Sequence, residues 1–489
     1  MKLASLLWIT LGLTLGLASP RPNIVFILAD DLGYGEVGCF GQTKIKTPHI
    51  DRLAKEGIRL TRHYTGAPVC APARCVLLTG KHLANAEIRN NRDSGKGGKF
   101  PGQFPISTQA ITLAETLKEA GYVTGGFGKW GLGPSYSSGG PNDQGFDRFY
   151  GYNCQRNAHS YYPPFLDDDR GKEVINKNPI PGHKRQPNGE VKAETYRAET
   201  YAPDRILEEA LEFLTEHKDD SFFLYLPFVE PHVAIQAPQK WIDQYPAEWD
   251  EENGVYRGQN GYLPHPRPRA AYAAMISDLD EHIGAILARL DELKLAKNTI
   301  VVFTSDNGPT LPSKDPKFHV GGADPIFFNS TAGLRGWKGS VHEGGIRVPT
   351  IVRWPERVNP FATSDVPSYF PDWFPTLCNM TGTKPPAGLD GIDLTPALTG
   401  GQLKRNSPMI WEFHGYGGQI AITDWPWKAI RLDVAKKKPG KWKLYNLEKD
   451  PAEETDLSQK NPGTLASLIS HFKSNRRPSQ IFKLPLYDK

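Results

Sequence analysis

Four side chains with oxygen donor atoms follow two apolar runs of the chain. Asp30 and Asp31 come directly after the run 23–29, and Asp306 and Asn307 follow the run 299–304. Carboxylate and amide oxygens are hard ligands that suit Ca²⁺ or Mg²⁺ better than Zn²⁺. An acidic pair after a strand is also common as a turn or helix cap, and Asn-Gly is a common turn. Each pair taken alone leaves both interpretations open.

The run 70–80 contains a cysteine and an arginine at a spacing that could serve chemistry on an anion. It reads Cys-Ala-Pro-Ala-Arg-Cys-Val-Leu-Leu-Thr-Gly, so Arg74 comes four residues after Cys70. If residues 73–79 are helical, Arg74 lies in the first turn, and the helix N-terminus favours an anion near residue 70. The simpler interpretation is a buried cysteine beside a proline turn, because free cysteine is among the most buried residue types.

Two lysines and a histidine are further candidates. Lys129 and Lys338 both have glycine-rich flanks, which allow close approach to a ligand, although most lysines are simply exposed. His232 follows Glu-Pro after an apolar run and could transfer a proton, although a lone histidine is more often structural.

The elements that must position these residues alternate between strands and helices. Apolar runs at 23–29, 122–127, 222–228 and 299–304 predict buried strands. Apolar spacing at 111–120, 202–217 and 269–293 predicts helices. This alternation predicts an α/β fold with a large, mostly parallel sheet flanked by helices. Ligands of such sheets bind beyond the carboxyl ends of the strands, where these candidates lie.

The two ends of the chain differ from its middle. Residues 1–18, with Lys2 before an apolar run, predict a signal peptide that is too short to span a membrane. Beyond residue 400, short runs at 409–413, 419–423 and 442–444 precede a polar helix at 462–474. We therefore predict a catalytic domain at 19–400 and a small C-terminal α+β subdomain with an antiparallel sheet at 401–489.

Composition and charge exclude some classes of function. The net charge of +4, from 58 basic and 54 acidic residues, is too small to indicate nucleic-acid binding. No run after the signal peptide is apolar enough for membrane insertion. We expect an exported protein, whether periplasmic, secreted or lysosome-like, in which disulfides could form. If Cys70 is modified, Cys39, Cys75, Cys154 and Cys378 remain, and their pairing stays open.

Seven segments, in order, resemble the type I sulfatases of the alkaline phosphatase superfamily. The segment 70–80 resembles the signature in which a maturation enzyme converts cysteine to formylglycine. The others are Pro-Asn-Ile-Val-Phe-Ile-Leu-Ala-Asp-Asp from 22, Thr-Pro-His-Ile-Asp-Arg-Leu-Ala from 47, Gly-Lys-Trp-Gly-Leu-Gly from 128, Pro-Phe-Val-Glu-Pro-His from 227, and Thr-Ser-Asp-Asn-Gly from 304 with Gly-Trp-Lys-Gly from 336. The resemblance covers about 23 to 456 and implies an alkaline-phosphatase-like fold and an arylsulfatase-like enzyme.

The resemblance also implies a mechanism and a role for each candidate. Cys70 becomes formylglycine, whose hydrated form attacks sulfur, and Arg74 supports that nucleophile and guides maturation. Lys129 and Lys338 hold sulfate oxygens, and His232 protonates the leaving oxygen. One Ca²⁺ is held by Asp30, Asp31, Asp306, Asn307 and the modified Cys70. The alternatives are a phosphodiester or phosphonate monoester hydrolase of the same superfamily, or a non-catalytic sugar-binding relative.

One position departs from the family pattern. Many sulfatases have histidine two residues after the loop lysine, where this chain has Gly131. We predict that His159 replaces the missing imidazole, although it could be an ordinary loop histidine.

The substrate is expected to be a sulfated carbohydrate, bound by loops outside the sulfate pocket. The candidate loops are 87–104, 161–192, 246–268 and 312–328, whose aromatic residues could stack on sugar rings or could serve loop packing alone. Those aromatic residues are Tyr161, Tyr162, Trp249, Tyr256 and Tyr262.

Overall fold

The computed structural model describes residues 21–92, 103–182, 184–252, 254–315 and 319–488, so the predicted signal peptide lies outside the described residues. The strands are numbered β1 to β16 along the chain. They are Asn23–Ala29, Ile58–Leu60, His63–Tyr64, Val123–Lys129, Arg148–Tyr152, Phe165–Asp168, Gly171–Val174, Phe222–Pro227, Thr299–Ser305, Ile351–Arg353, Ala362–Ser364, Ser368–Tyr369, Met409–Phe413, Gln419–Asp424, Trp427–Leu432 and Trp442–Asn446.

The α-helices are numbered α1 to α11 in the same way. They are Pro48–Lys55, Cys70–Thr79, Leu113–Glu119, Ala202–Glu216, Gln239–Ile242, Glu248–Glu251, Pro268–Glu292, Glu343–Ile346, Trp373–Met380, Thr395–Leu398 and Pro462–Asn475. The predicted strands, and the helices predicted at 111–120, 202–217, 269–293 and 462–474, each lie within two residues of an observed element at both ends. Helix α7 starts with Pro268, which suits a first turn because its missing N–H has no intrahelical acceptor there.

A large sheet runs through the molecule in the order β11-β2-β10-β9-β1-β8-β4-β5-β6-β7. Its centre, β9-β1-β8-β4-β5, is parallel, and antiparallel pairs flank this centre on both sides. Along β1, Ile24 and Phe26 pack into one apolar core, and Val25 and Ile27 pack into a second. Both faces of the strand are buried, which explains its unbroken apolar run. The predicted α/β fold is confirmed.

The chain beyond residue 400 forms a second, antiparallel sheet in the order β13-β14-β15-β16. One face packs on α11 through residues such as Ile420 and Phe472, and the other face joins the core of the large sheet through Trp411. The sequence analysis missed strand β15. The predicted small antiparallel unit is present, and the domain boundary at residue 400 remains a prediction.

Two general expectations can be compared with the structure. Within the described residues, no helix combines the length and apolar character needed to cross a membrane. All five cysteines lie in described ranges and are free thiols, with Cys70, Cys75 and Cys378 buried.

Candidate active site

The two pairs of oxygen-bearing side chains meet at one edge of the large sheet. Strands β1 and β9 are parallel neighbours with their ends in register, so the residues that follow them emerge side by side. The N–H of Asp31 donates to Asp306 Oδ1 at 3.2 Å, and Asn307 Nδ2 donates to Asp31 Oδ1 at 2.8 Å. With Asp30, these side chains form one fully buried group.

This group of side chains fits a hard divalent cation. Asn307 Oδ1 is buried and has no hydrogen-bond partner among the described residues, which is costly unless another group binds it. Burial, and then the charge of Asp30, raise the pKa of Asp306 to about 7, a repulsion that a cation would offset. Potential ligand atoms of four buried residues lie within 4.8 Å of one another: Asp30, Asp31, Cys70 and His232.

Helix α2 begins at Cys70, so the predicted start at residue 73 is wrong. Pro72 is compatible with this start because N–H groups of the first turn have no intrahelical acceptor. Gly80 ends the helix with a φ of 63°, a left-handed conformation that suits glycine. Arg74 therefore lies one turn beyond Cys70 rather than in the first turn. The four-residue spacing places both side chains on one face of the helix.

Cys70 lies between the carboxylates and a lysine. Its Sγ donates to Asp30 Oδ1 at 3.3 Å and is 3.5 Å from Lys338 Nζ. Burial, and then the charge of Asp30, raise the pKa of the Cys70 thiol to about 12. Reactive cysteines instead have lowered pKa values, because the thiolate is the nucleophile. An unmodified Cys70 would therefore be a protonated, weak nucleophile at neutral pH.

Arg74 joins the two strand ends from the helix side. Its Nη2 is 2.8 Å from Asp306 Oδ2 and 3.4 Å from Asp30 Oδ2, and its Nη1 donates to the backbone carbonyl of Lys129. The guanidinium is completely buried. Arg74 thus connects residue 70, both acidic strand ends and the lysine loop.

Lys129, the last residue of β4, and Lys338, from the loop before α8, approach the same group of carboxylates. Lys129 Nζ pairs with Asp30, and Lys338 Nζ lies 2.6 Å from Asp31 Oδ1. Burial opposes the charge on each lysine, but Asp30 and Asp31 respectively outweigh it and raise the two lysine pKa values. Three cationic side chains therefore face three carboxylates, and an added divalent cation would make the site attractive to anions.

His232 faces this group from the end of β8. Its Nε2 is 3.7 Å from Asp31 Oδ2, and its Nδ1 bonds the carbonyl of Val233, which places the proton of the neutral ring on Nδ1. Burial, followed by the charges of Lys338 and Lys129, lowers the pKa of His232 well below its usual value. A bound anion would counter these lysines and favour protonation.

The place of the family histidine is filled by a residue that the sequence analysis missed. Gly131 has a φ of 90°, and a Cβ there would lie 2.3 Å from Gln155 Nε2. The Gln155 amide therefore occupies space that a side chain at 131 would need. The ring of His159 stacks on His232, with centroids 5.1 Å apart. The role of His159 as a replacement base stays a prediction.

The aromatic residues of the candidate substrate loops are mostly packing residues. Tyr161 is fully buried, and its hydroxyl donates to the carbonyls of Val229 and His232, which supports the histidine loop. Tyr162 and Tyr256 are also buried, so of the two interpretations left open by the sequence, loop packing describes these three tyrosines. Tyr262 lies beside the site, with its ring centroid 5.3 Å from that of His159.

The site combines carboxylates at strand ends, cationic side chains and residue 70 on helix α2. This combination is that of a hydrolase site for an anionic ester. The sulfatase family profile matches residues 22–383, and the chain belongs to this family. The protein is thus an enzyme, a sulfatase. A second profile, "N-sulphoglucosamine sulphohydrolase, C-terminal", matches residues 334–475.

Individual relatives agree with this assignment. The chain is 30% identical to steryl-sulfatase of Rattus norvegicus, over 86% of this chain and 78% of the relative. It is also 30% identical to N-acetylgalactosamine-6-O-sulfatase of Bacteroides thetaiotaomicron, over 94% of both chains. The crystal structure of Ps i-CgsB in complex with k-i-k-neocarrahexaose matches with a TM-score of 0.74 and 27% identity, over 96% of this chain and 95% of that chain.

Proposed function

We propose that this sulfatase removes sulfate esters from carbohydrates, using a formylglycine made from Cys70 and one bound calcium ion. The observation that carries the proposal is the position of residue 70. Its side chain contacts Asp30 and Lys338. It lies among four buried oxygen-bearing side chains and three cationic groups, of which Arg74 and Lys129 are buried and Lys338 is partly buried.

The buried thiol supports modification of Cys70. At neutral pH the thiol would be protonated, whereas the hydrate of an aldehyde at this position carries two hydroxyl groups. One oxygen attacks sulfur, the S–O bond to the alcohol breaks, and loss of the second hydroxyl proton expels sulfate and restores the aldehyde. Residue 70 is 1% exposed, so a maturation enzyme would have to act before the chain folds.

Calcium would be held by Asp30, Asp31, Asp306, Asn307 and residue 70. When bound, it would hold a sulfate oxygen and lower the pKa of the nucleophilic hydroxyl. The unpaired Asn307 oxygen and the three carboxylates support this hard-ligand set.

The chain's own cations would bind and orient the ester. Lys129 and Lys338 have Nζ atoms beside residue 70 and its carboxylate neighbours, where they can hold sulfate oxygens. Arg74 pairs with Asp306 and thereby holds helix α2, with residue 70 at its start, against this carboxylate. His232, once protonated beside the bound anion, would give its Nε2 proton to the leaving alcohol oxygen.

A carbohydrate substrate is supported by two of the relatives. One is named for N-acetylgalactosamine-6-O-sulfate chemistry, and the other has a neocarrahexaose bound in its structure. The proposal also includes export of the protein after cleavage of residues 1–18. It further includes a catalytic domain at 19–400 and a C-terminal subdomain at 401–489.

The test is to co-express the chain with a formylglycine-generating enzyme and measure sulfate release from a chromogenic aryl sulfate and from sulfated oligosaccharides. Mass spectrometry of the peptide with residue 70 should show the mass of formylglycine rather than cysteine. Cys70→Ala serves as the matched inactive control. Sulfate release by a protein whose residue 70 remains cysteine would contradict the mechanism, and absence of release from all sugar sulfates would contradict the substrate class.

A further inference from the structure

A cavity of about 320 Å³ lies directly beside the nucleophile helix. Three of its lining residues adjoin the site already described: Ala71 follows residue 70, Gly131 belongs to the lysine loop, and His159 stacks on His232. Asn91 Oδ1 accepts from the N–H of Ala71 at 3.0 Å and thereby fixes the outer wall against helix α2. A substrate with its sulfate at residue 70 would extend into this cavity.

The described part of the cavity wall carries positive charge and no negative charge. Among the described residues that line it, Arg92 and Arg156 are cationic, and none is a carboxylate. Both arginines are exposed, and Arg92 Nη1 donates to the carbonyl of Ile481 at 3.4 Å. Guanidinium groups bind planar or tetrahedral oxyanions through paired hydrogen bonds. The wall is therefore suited to a second negative charge on the substrate.

Two buried amides on the same wall have unused hydrogen-bonding atoms. Gln155 is 9% exposed, and its Nε2, a donor, has no partner within the described part of the chain. Gln103 is 3% exposed, and its Oε1, an acceptor, is also unpaired there, although its Nε2 donates to Asn153 at 2.9 Å. A sugar hydroxyl both donates and accepts, so it matches such a donor and acceptor.

We propose that this cavity is an acidic-sugar subsite, which binds a sugar unit carrying a second oxyanion besides the sulfate to be removed. Arg92 and Arg156 bind that oxyanion, either a sulfate or a carboxylate, and Gln103 and Gln155 bind hydroxyls. The inference rests on the proposed carbohydrate sulfatase function and narrows its substrate class. Among the described lining residues, a sterol would find only Ala71, Ile88 and Phe104 as apolar partners.

The first experiment compares three disaccharides that share the same scissile sulfate. One has no further charge, one carries a second sulfate, and one carries a uronic carboxylate. We expect at least one doubly charged disaccharide to have a kcat/KM about 10-fold or more above that of the singly charged one. The preferred member identifies the oxyanion, and the preference should shrink as salt rises.

Variants then assign the preference to the wall. The double variant Arg92→Gln/Arg156→Gln should remove the preference for the doubly charged disaccharide, and most of the change should appear in KM. Arg170→Gln is the matched control, because Arg170 is an exposed arginine paired with Asp143 between β6 and β7. This control should leave the preference unchanged. Equal kcat/KM for all three disaccharides, or a preference that survives in the double arginine variant, would overturn the subsite.

A binding measurement separates this inference from the proposed function. Calorimetric titration of the Cys70→Ala protein with the same disaccharides needs no turnover, and we expect tighter binding of the doubly charged member by about 10-fold. Sulfate release without discrimination in rate or binding overturns the subsite alone. A failure to release sulfate from any substrate overturns the proposed function, while the titration still decides whether the arginine wall binds a second oxyanion.

Discussion

Two buried ionic clusters in this protein have similar composition and opposite character. The active-site cluster consists of Asp30, Asp31, Asp306, Arg74, Lys129 and Lys338. The interface cluster joins the C-terminal sheet to helix α8 and consists of Glu343, Glu453, Lys428, His342 and Tyr64. In the interface cluster, Lys428 Nζ lies 2.8 Å from Glu343 Oε1 and 3.0 Å from Glu453 Oε1.

The interface cluster satisfies its own charges. Glu343 Oε2 accepts from Tyr64, and Glu453 Oε2 accepts from the N–H of Glu343 and bonds His342. Burial alone would raise the pKa of Glu453, but the charge of Lys428 and these bonds outweigh it and lower that pKa. The Glu453 carboxylate is thus stabilised in its charged form by protein groups.

Two of the three carboxylates in the active-site cluster are not stabilised in their charged form. Burial raises the pKa values of Asp31 and Asp306, in spite of the neighbouring lysines and arginine, whereas burial of Asp30 is outweighed by the charge of Lys129 and the other nearby cations, which lower its pKa. Asn307 Oδ1 beside them has no hydrogen-bond partner in the described part of the chain. Burial and charge count alone therefore do not identify a functional cluster. The two carboxylates that resist ionisation distinguish the active-site cluster from the interface cluster.

The largest expected effect separates function from stability in the active-site cluster. Cys70→Ser should lower multiple-turnover aryl sulfate hydrolysis by at least about 1000-fold, because serine has no second hydroxyl to expel sulfate. The melting temperature should stay within about 2 °C of the wild type, since the side chains have similar size. Steady-state assays and calorimetry measure the two quantities. Near-normal turnover by this variant would exclude the formylglycine mechanism.

The next largest expected effect is a loss of stability when the lysine of the interface cluster is replaced. Lys428→Met leaves two buried glutamates without their cation and should lower the free energy of unfolding by about 3–5 kcal/mol. Lys436→Met is the control, because Lys436 pairs with Asp433 on the surface, where such pairs contribute less than about 1 kcal/mol. Denaturant titration measures both. Equal losses in the two variants would show that the interface cluster is not specially stabilising.

A smaller effect concerns calcium. Chelation with EDTA should abolish activity and added Ca²⁺ should restore it. Asn307→Ala should raise the Ca²⁺ concentration for half activity by about 10- to 100-fold, whereas Asn307→Asp keeps an oxygen ligand and should change it less. Metal analysis of the same samples gives a readout besides activity. Two zinc ions per chain in active protein would contradict the calcium site.

The smallest expected effect is the loss of the stability contributed by Glu453 at low pH. The folded pKa of Glu453 lies below its unfolded value of 4.5, so its stabilising contribution is present above about pH 4.5 and is lost as pH falls through the folded pKa. Glu453→Gln should therefore be less stable than the wild type at pH 7, and the difference should shrink at lower pH. Melting temperatures measured from pH 7 down to about pH 2 cover the range below 4.5 in which this contribution is lost. A constant difference across that range would contradict the assignment.

The large sheet and the position of its functional residues could be predicted from local sequence patterns. Apolar runs such as 23–29 and 299–304 specify strands that are buried on both faces, and polar residues directly after them must emerge at the strand ends. The motif around Cys70 and the segments around the two lysines could also be found in the sequence, because each places its functional residues in one short continuous segment.

Contacts between groups that are far apart in the sequence became visible only in the folded chain. Helix α2 starts three residues earlier than predicted, because its first turn tolerates Pro72. Gln155 fills the space beside Gly131, and Arg92 and Arg156 share one cavity, although no spacing connects them. Lys428 meets Glu343 and Glu453 across the interface between sheets. Contacts between segments far apart in sequence depend on packing, which local periodicity does not encode.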